Sequence, residues 1–348
     1  MTEQITVEKI VVLGTGGTIA GTAASSSDNT GYTAAQIGVE ALLNSVPGLD
    51  QALQGCELLA EQVAQLDSKD MDFDTMQRIA QRCVHHLSNP QTRGIVITHG
   101  TDTLEETAYF LHRVLGVACP LALQNKPVVL TCAMRPATSS EADGPRNLLD
   151  AVRVATDAEA RGVLAVCAGD VHHALAVQKI HSYALNAFSS GDADLGELGL
   201  VAQVTDGRLR WRSAAQELFK EKMHFSQTDT AQSATDSIAI NATRQMDWPR
   251  VEIVLNHAHA TGHVIAALLA ASTPSNPLRG IVVAGTGNGT VSESLQAAMK
   301  EAHAQGIKIV LTSRCAWGGV RGGEIKDSGL SAVKARIELM LTLLDAGT

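Results

Sequence analysis

Two threonines stand where short apolar runs break off into glycine: Thr18 in VVLGTGGTIAG and Thr101 in GIVITHGTDT. A threonine hydroxyl attacks an amide only when a neighbour accepts its proton and fixed donors receive the charge that develops on the carbonyl oxygen. The first setting offers this. Ile10 to Leu13 reads as a buried parallel strand, and Gly14, Gly16 and Gly17 allow a backbone path that side chains would forbid. Thr18 then lies just past the strand's carboxyl end, the edge at which open α/β sheets bind ligands, with backbone N–H groups around it. Taken alone, the loop is equally a nucleotide-binding glycine turn. Its spacing argues otherwise, because Ile19 occupies the third glycine position of a dinucleotide fingerprint and no Gly-Lys-Ser/Thr is present.

In the second motif Gly94 to Thr98 is again a short apolar strand, and HGTDT follows it. Thr103 with Glu106 has the spacing of a capping box, and Leu104, Ala108, Leu111 and Leu115 share one face of the helix that begins there. Thr101 and Asp102 therefore sit at a strand-to-helix turn, where they are either cap residues or reactive groups. His99 beside Asp102 does not make a serine-hydrolase triad, since the chain has no Gly-x-Ser-x-Gly elbow, and it reads as structural. Lys179 lies amid apolar neighbours in AVQKIHS. Drawn into a pocket beside Thr101 and Asp102, a lysine becomes a usable base, because burial disfavours an ammonium. Gly21 to Thr33 is built almost wholly of small and polar residues, and its one large side chain is Tyr32. That tyrosine either anchors the far end of a loop or rides on a lid that carries its phenol to the site.

The elements that must place these groups follow an α/β pattern. Helices are expected over Gly38 to Val46 and residues 73 to 87, and strands over Cys56 to Gln65, Pro127 to Thr131 and Gly162 to Cys167. AMRPATSSEADGPRN connects the last two strands. Periodicity fades from about Asp206 to Trp248, and a fresh pattern then begins: strands at Val251 to Leu255, Gly280 to Ala284 and Ile307 to Thr312, with a helix from Val291 to Gln305 closed by Gly306. A length of 348 residues suits two domains. The expected division is 1–210, a connection at 211–248, and 249–348.

Composition narrows the function class. A formal charge of −9 and 3% aromatic residues argue against a nucleic-acid partner. No apolar stretch reaches the length of a membrane span, and the first strand begins with no leader pattern before it, so a soluble, cytoplasmic protein is expected, with a periplasmic origin after removal of a signal as the alternative. The six cysteines have neither Cys-x-x-Cys nor zinc spacing and read as free and mostly buried. There is no HExxH and no cluster of metal ligands, so no metal or cofactor is expected.

VLGTGGTIA (Val12 to Ala20) and GIVITHGTDT (Gly94 to Thr103), in this order and this far apart, resemble the two signature segments of the bacterial-type L-asparaginase and glutaminase-asparaginase family. The resemblance extends over YTAAQIGVEALL, LDSKDM, LEETAYFLHR, AMRPATSSEADGPRNLLDAV and AGTGNGT, and weakens in the connection and near the C-terminus. It implies a larger N-terminal α/β domain with a mostly parallel sheet, a smaller flavodoxin-like C-terminal α/β domain, a left-handed crossover, and a homotetramer built as a dimer of intimate dimers. It also implies hydrolysis of L-asparagine to aspartate and ammonia, with secondary glutaminase activity, through an acyl-enzyme on Thr18. Thr101, Asp102 and Lys179 match a second catalytic group that moves protons and activates water, and Tyr32 matches a lid tyrosine bonded to the nucleophile. Ser68 matches the residue holding the substrate α-carboxylate, Asp102 also meets the α-amino group, and Ala133 matches an alanine whose carbonyl orients the leaving amide.

The chain departs from that pattern in three places. Lys69 follows Ser68 where glutamine or glutamate is usual in periplasmic relatives, His259 in NHAHA replaces an asparagine reaching a neighbour's site, and Glu324 matches a neighbour-donated glutamate within a shortened tail. Two other readings compete. A non-catalytic binder of acidic amino acids would keep Ser68 and Asp102 without needing Thr18, Thr101 and Lys179 together. The ammonia-supplying subunit of a tRNA-dependent amidotransferase would carry an additional N-terminal domain.

Overall fold

A computed structural model describes residues 7–192, 199–213, 247–320 and 329–345. The chain divides into two compact units, Met1–Ala239 and Ile240–Thr348. Of the expected connection at 211–248, residues 214–246 lie outside the described residues, as does Glu324.

In the first unit the strands and helices run β1 (Lys9–Gly16), α1 (Val39–Asn44), α2 (Leu49–Ala52), β2 (Glu57–Leu66), α3 (Phe73–Ser88), β3 (Thr92–Thr98), α4 (Leu104–Ala118), α5 (Pro120–Leu123), β4 (Val128–Thr131), α6 (Gly144–Thr156), β5 (Val163–Cys167), β6 (Asp170–His173), β7 (Gln178–Lys179), β8 (Phe188–Ser189), β9 (Ala202–Thr205) and β10 (Arg208–Trp211). Eight strands form one sheet in the order β10-β9-β6-β5-β4-β3-β1-β2, with β1 to β5 parallel and β6, β9 and β10 added antiparallel. Continuous apolar sequence explains the parallel part: Ile10, Val11, Val12 and Leu13, and likewise Ile95, Val96 and Ile97, are sealed between helix layers. Register places Val11 opposite Leu59 of β2 on one side and Ile95 of β3 on the other. Strand order thus reverses between β1 and β3, which opens a crevice at their carboxyl ends. Thr18 and Thr101 follow those two ends.

Asp72 starts α3 by accepting the Thr75 N–H at 2.7 Å, and the helix buries Met76, Ile79, Ala80, Cys83 and Leu87. Helix α4 buries Leu104, Ala108, Leu111 and Leu115 as its periodicity predicts, each burial contributing about 1.5–3 kcal/mol for the larger side chains. Several elements lie beyond the sequence pattern, α6 and the pair β9 and β10 among them. Helix α6 grows out of the AMRPATSSEADGPRN connection, with Pro145 in its first turn. Strands β9 and β10 form a hairpin whose two-residue turn, Asp206 and Gly207, has φ of 50° and 73°, the pair of positive angles a tight hairpin turn requires.

The second unit contains β11 (Arg250–Leu255), α7 (His263–Ala270), β12 (Leu278–Gly285), α8 (Glu293–Ala304), β13 (Lys308–Ser313) and α9 (Ala332–Asp345). Its three strands are parallel in the order β11-β12-β13, and Val254, Ile265, Leu278, Ile281, Val283, Leu295 and Met299 form its core.

All six cysteines are free; Cys83, Cys132 and Cys167 are buried and Cys315 is exposed. No helix of the described residues is long and apolar enough to cross a membrane.

Candidate active site

Three strand ends converge through backbone contacts that only small residues permit. Thr15 donates its hydroxyl to the Thr98 carbonyl at 2.7 Å, which ties the end of β1 to the end of β3. Gly17 has φ 80°, and a Cβ there would lie 2.5 Å from the Gly100 Cα. A Cβ on Gly100 would in turn lie 2.3 Å from Ser68 Oγ. The residues immediately before Thr18 and before Thr101 are therefore in main-chain contact, and Ser68 closes the group from the end of β2.

Thr18 opens a single tight turn, Thr18–Ala20, and is buried, with its Oγ1 2.7 Å from the Tyr32 hydroxyl. Tyr32 sits at the base of the polar loop, where Thr22 and Thr33 pair through reciprocal N–H to carbonyl bonds of 2.9 Å. Inside the loop the Asp28 carboxylate accepts N–H bonds from Gly31 and Thr30, which hold its pKa below the ordinary range. The loop is fastened to the 137–140 segment: Ala137 N–H donates to the Gly21 carbonyl, Ala23 N–H to Thr138 Oγ1, Ser140 N–H to the Ser26 carbonyl, and Ser139 Oγ to Asn29 Oδ1 at 2.6 Å. The tyrosine of the loop is thus brought onto Thr18 rather than serving only as a far anchor.

Lys179 reaches the second threonine from β7. Its Nζ donates to Thr101 Oγ1 at 2.7 Å and to Asp102 Oδ1 at 2.6 Å, with Thr101 buried and the Asp102 side chain 53% exposed. The Asp102 N–H donates to Ser68 Oγ at 3.2 Å. The expected capping box does not form. Thr103 occupies the cap position of α4 but makes no side-chain cap bond; its hydroxyl donates instead to the Ser68 carbonyl at 2.8 Å, because the close approach at Gly100 brings that carbonyl within reach.

His99 is structural in geometry. Fully buried, it donates from Nδ1 to the Gly100 carbonyl and accepts at Nε2 from the Thr107 hydroxyl at 2.9 Å, the arrangement of a neutral ring. Burial pushes its pKa from 6.5 down to about 4. Below pH 6.5 the unfolded chain therefore takes up a proton that the folded one refuses, so His99's contribution is complete above pH 6.5, declines as pH falls towards 4, and reaches a loss of up to about 3 kcal/mol. Urea unfolding is expected to show this slope, and His99→Gln is expected to flatten it; a variant with the wild-type slope would overturn the assignment.

Ala133, just beyond β4, is buried, with Gly144 packed against both it and Ile19. Lys69 is turned outward, its ammonium 2.6 Å from Asp67 and 3.4 Å from Asp70, which raise its pKa, Asp67 first. His259 is exposed in the second unit at φ 59°. Sequence reasoning overlooked Asp143 and Asn147, which brace both sides of Ala133, although Asp-Gly-Pro ahead of an apolar periodic run is a readable helix start. Among the described residues no three His, Cys, Asp or Glu side chains group as a metal site would need.

Comparison with known proteins covers both units. Residues 9–216 match the family described as Asparaginase, N-terminal, and residues 250–346 match the Glutaminase/Asparaginase C-terminal domain. The chain is 34% identical to a glutaminase-asparaginase of Pseudomonas fluorescens biotype A, over 96% of this chain and 86% of that protein. It is 33% identical to L-asparaginase 2 of Escherichia coli, over 97% and 90%. The crystal structure of a probable cytoplasmic L-asparaginase from Campylobacter jejuni superposes with a TM-score of 0.79 at 31% identity, covering 97% of this chain and 95% of that one. Matched along both units, and with both threonine motifs meeting at one sheet edge, the chain belongs to the asparaginase family.

Proposed function

We propose that the protein is an L-asparaginase that hydrolyses L-asparagine to L-aspartate and ammonia through a threonine acyl-enzyme, with secondary action on glutamine. One observation carries the reading: two buried threonine hydroxyls at the same sheet edge, each with its own polar partner, Tyr32 for Thr18 and Lys179 for Thr101. Thr18 Oγ1 forms a bond to the side-chain carbonyl carbon of asparagine, its proton passes by way of Tyr32 to the departing nitrogen, and ammonia leaves. The Thr101, Asp102 and Lys179 group then takes a proton from water as water attacks the acyl carbon, the bond from that carbon to Thr18 Oγ1 breaks, and the proton passes to Oγ1, which releases aspartate and restores the Thr18 hydroxyl. Ser68 donates to the substrate α-carboxylate, and the half-exposed Asp102 receives its α-ammonium. Ammonia release titrated with asparagine and with glutamine tests this. A binder that only retains acidic amino acids would release none.

Lys69 sets affinity in this reading. Held by Asp67 and Asp70, it leaves the pocket without the polar contact a glutamine would make beside Ser68. Lys69→Gln is expected to lower KM for asparagine several-fold, on the order of 1 kcal/mol, with little change in kcat, since position 69 does not meet the scissile amide. Unchanged KM, or a collapse of kcat, would overturn it.

The active form in this proposal is a homo-oligomer, a dimer of intimate dimers, in the cytoplasm, where six free cysteines suit the reducing surroundings. Ile180, Tyr183 and Leu185 are exposed in the turn directly after Lys179, an apolar patch that a second subunit would cover. Sedimentation at micromolar protein is expected to show the oligomer; an active monomer would overturn it.

A further inference from the structure

Asp143 precedes α6 in the position of a cap, yet its side chain makes no capping bond to the helix. Its carboxylate turns back instead and accepts the N–H of Met134 at 3.0 Å, the N–H of Arg135 at 2.9 Å and the Asn147 Nδ2 at 3.1 Å. Asn147 Nδ2 also donates to the Cys132 carbonyl at 2.9 Å, and Asn147 Oδ1 accepts the Ala168 N–H at 2.9 Å. Ala133 is thereby held from both sides, through the carbonyl before it and the N–H after it. Peptide planarity gives this a direction. The Met134 N–H and the Ala133 C=O belong to one trans peptide unit and point opposite ways, so a carboxylate that fixes the N–H also fixes where the carbonyl points, away from Asp143. Gly144 adds the register, since a Cβ on it would lie 2.8 Å from Ile19 Cγ1 and 3.4 Å from Ala133 Cβ, which seats α6 against the residue after Thr18. Burial raises the Asp143 pKa against the pull of the Met134 and Arg135 N–H groups, so the carboxyl is kept there at a cost that its backbone bonds offset.

We infer that Asp143 is a positioning residue for the leaving group: by fixing the Ala133–Met134 peptide it aims the Ala133 carbonyl at the N–H of the departing amide. The inference rests on the asparaginase reading above, with Ala133 taking the place that the family resemblance implies for it, its carbonyl beside the leaving amide. It deepens that reading by separating leaving groups that carry N–H from those that do not. An amide nitrogen needs its hydrogens directed while it gains a proton and departs, whereas the methoxy group of L-aspartate β-methyl ester has no N–H to donate.

The test compares Asp143→Asn with wild type on asparagine and on L-aspartate β-methyl ester, with thermal unfolding followed on the same samples. The variant is expected to lose about 10²-fold in kcat on asparagine, the size of effect that a misplacement of about 1 Å produces, and less than about threefold on the ester. Asn147→Ala frees the Cys132 carbonyl while keeping the carboxylate; it carries the same expectation at smaller size if Asp143→Asn is not recovered folded. Equal losses on both substrates, or failure of both variants to fold, would make the network a brace only and overturn the assignment. Wild-type protein inert towards both substrates would sink the asparaginase reading, and this one with it.

Discussion

Thr18→Ala is expected to lower asparagine turnover by about 10³-fold or more, a barrier increase of roughly 4 kcal/mol, in a protein that remains folded. The size follows from what is removed. Acid–base assistance contributes about 10²–10⁴-fold and charge stabilisation about 10²–10³-fold, but both act on an attacking oxygen that the variant lacks. Stability is expected to change little, because the Thr18 hydroxyl bonds Tyr32 of the polar loop and not a strand, and one such bond is worth about 1 kcal/mol. The main chain at Gly17 and Gly100 keeps its contact whichever side chain follows. Ammonia release and thermal unfolding on one preparation check both halves. A variant retaining a tenth of the wild-type rate, free of contaminating wild type, would remove Thr18 from the nucleophile's place.

Much of this site was legible because the residues that build it are local in sequence. A run such as IVVLGTGGT encodes a buried strand, its end and a reactive turn together, and GIVITHGTDT does the same for the second threonine. Pairing between the two was not encoded locally. It comes from β1 standing beside β3, with the glycines at 17 and 100 allowing contact, and sheet order is a property of the whole chain. Thr103 shows the opposite error. Its spacing to Glu106 is that of a capping box, yet the side chain makes no cap bond and its hydroxyl donates to a long-range acceptor, the Ser68 carbonyl. Asp143 was passed over for a related reason. Local rules read an aspartate before Gly-Pro as a cap, and only the folded chain shows its carboxylate turned towards Met134 and Arg135.

The second large effect belongs to Thr101. Thr101→Val conserves shape and removes only the hydroxyl, so the 2.6 Å contact between Lys179 and Asp102 remains in place and the variant is expected to fold. Turnover is nonetheless expected to fall about 10³-fold, because in the proposed mechanism proton transfer to and from the attacking water passes through that hydroxyl. Lys179→Met is expected to cost a similar factor: it strips Thr101 Oγ1 of its 2.7 Å donor and leaves the Asp102 carboxylate half exposed, where water solvates it. If the three groups work as one device, their losses do not add, and the double variant is expected to be no slower than the worse single one. Mass spectrometry of Thr101→Val mixed with asparagine adds a direct readout. Water activation is the step assigned to this group, so an aspartyl adduct on Thr18 is expected to accumulate. Additive losses in the double variant, or turnover within tenfold of wild type with no adduct, would separate Thr101 from Lys179 and leave Thr18 and Tyr32 to carry the chemistry alone.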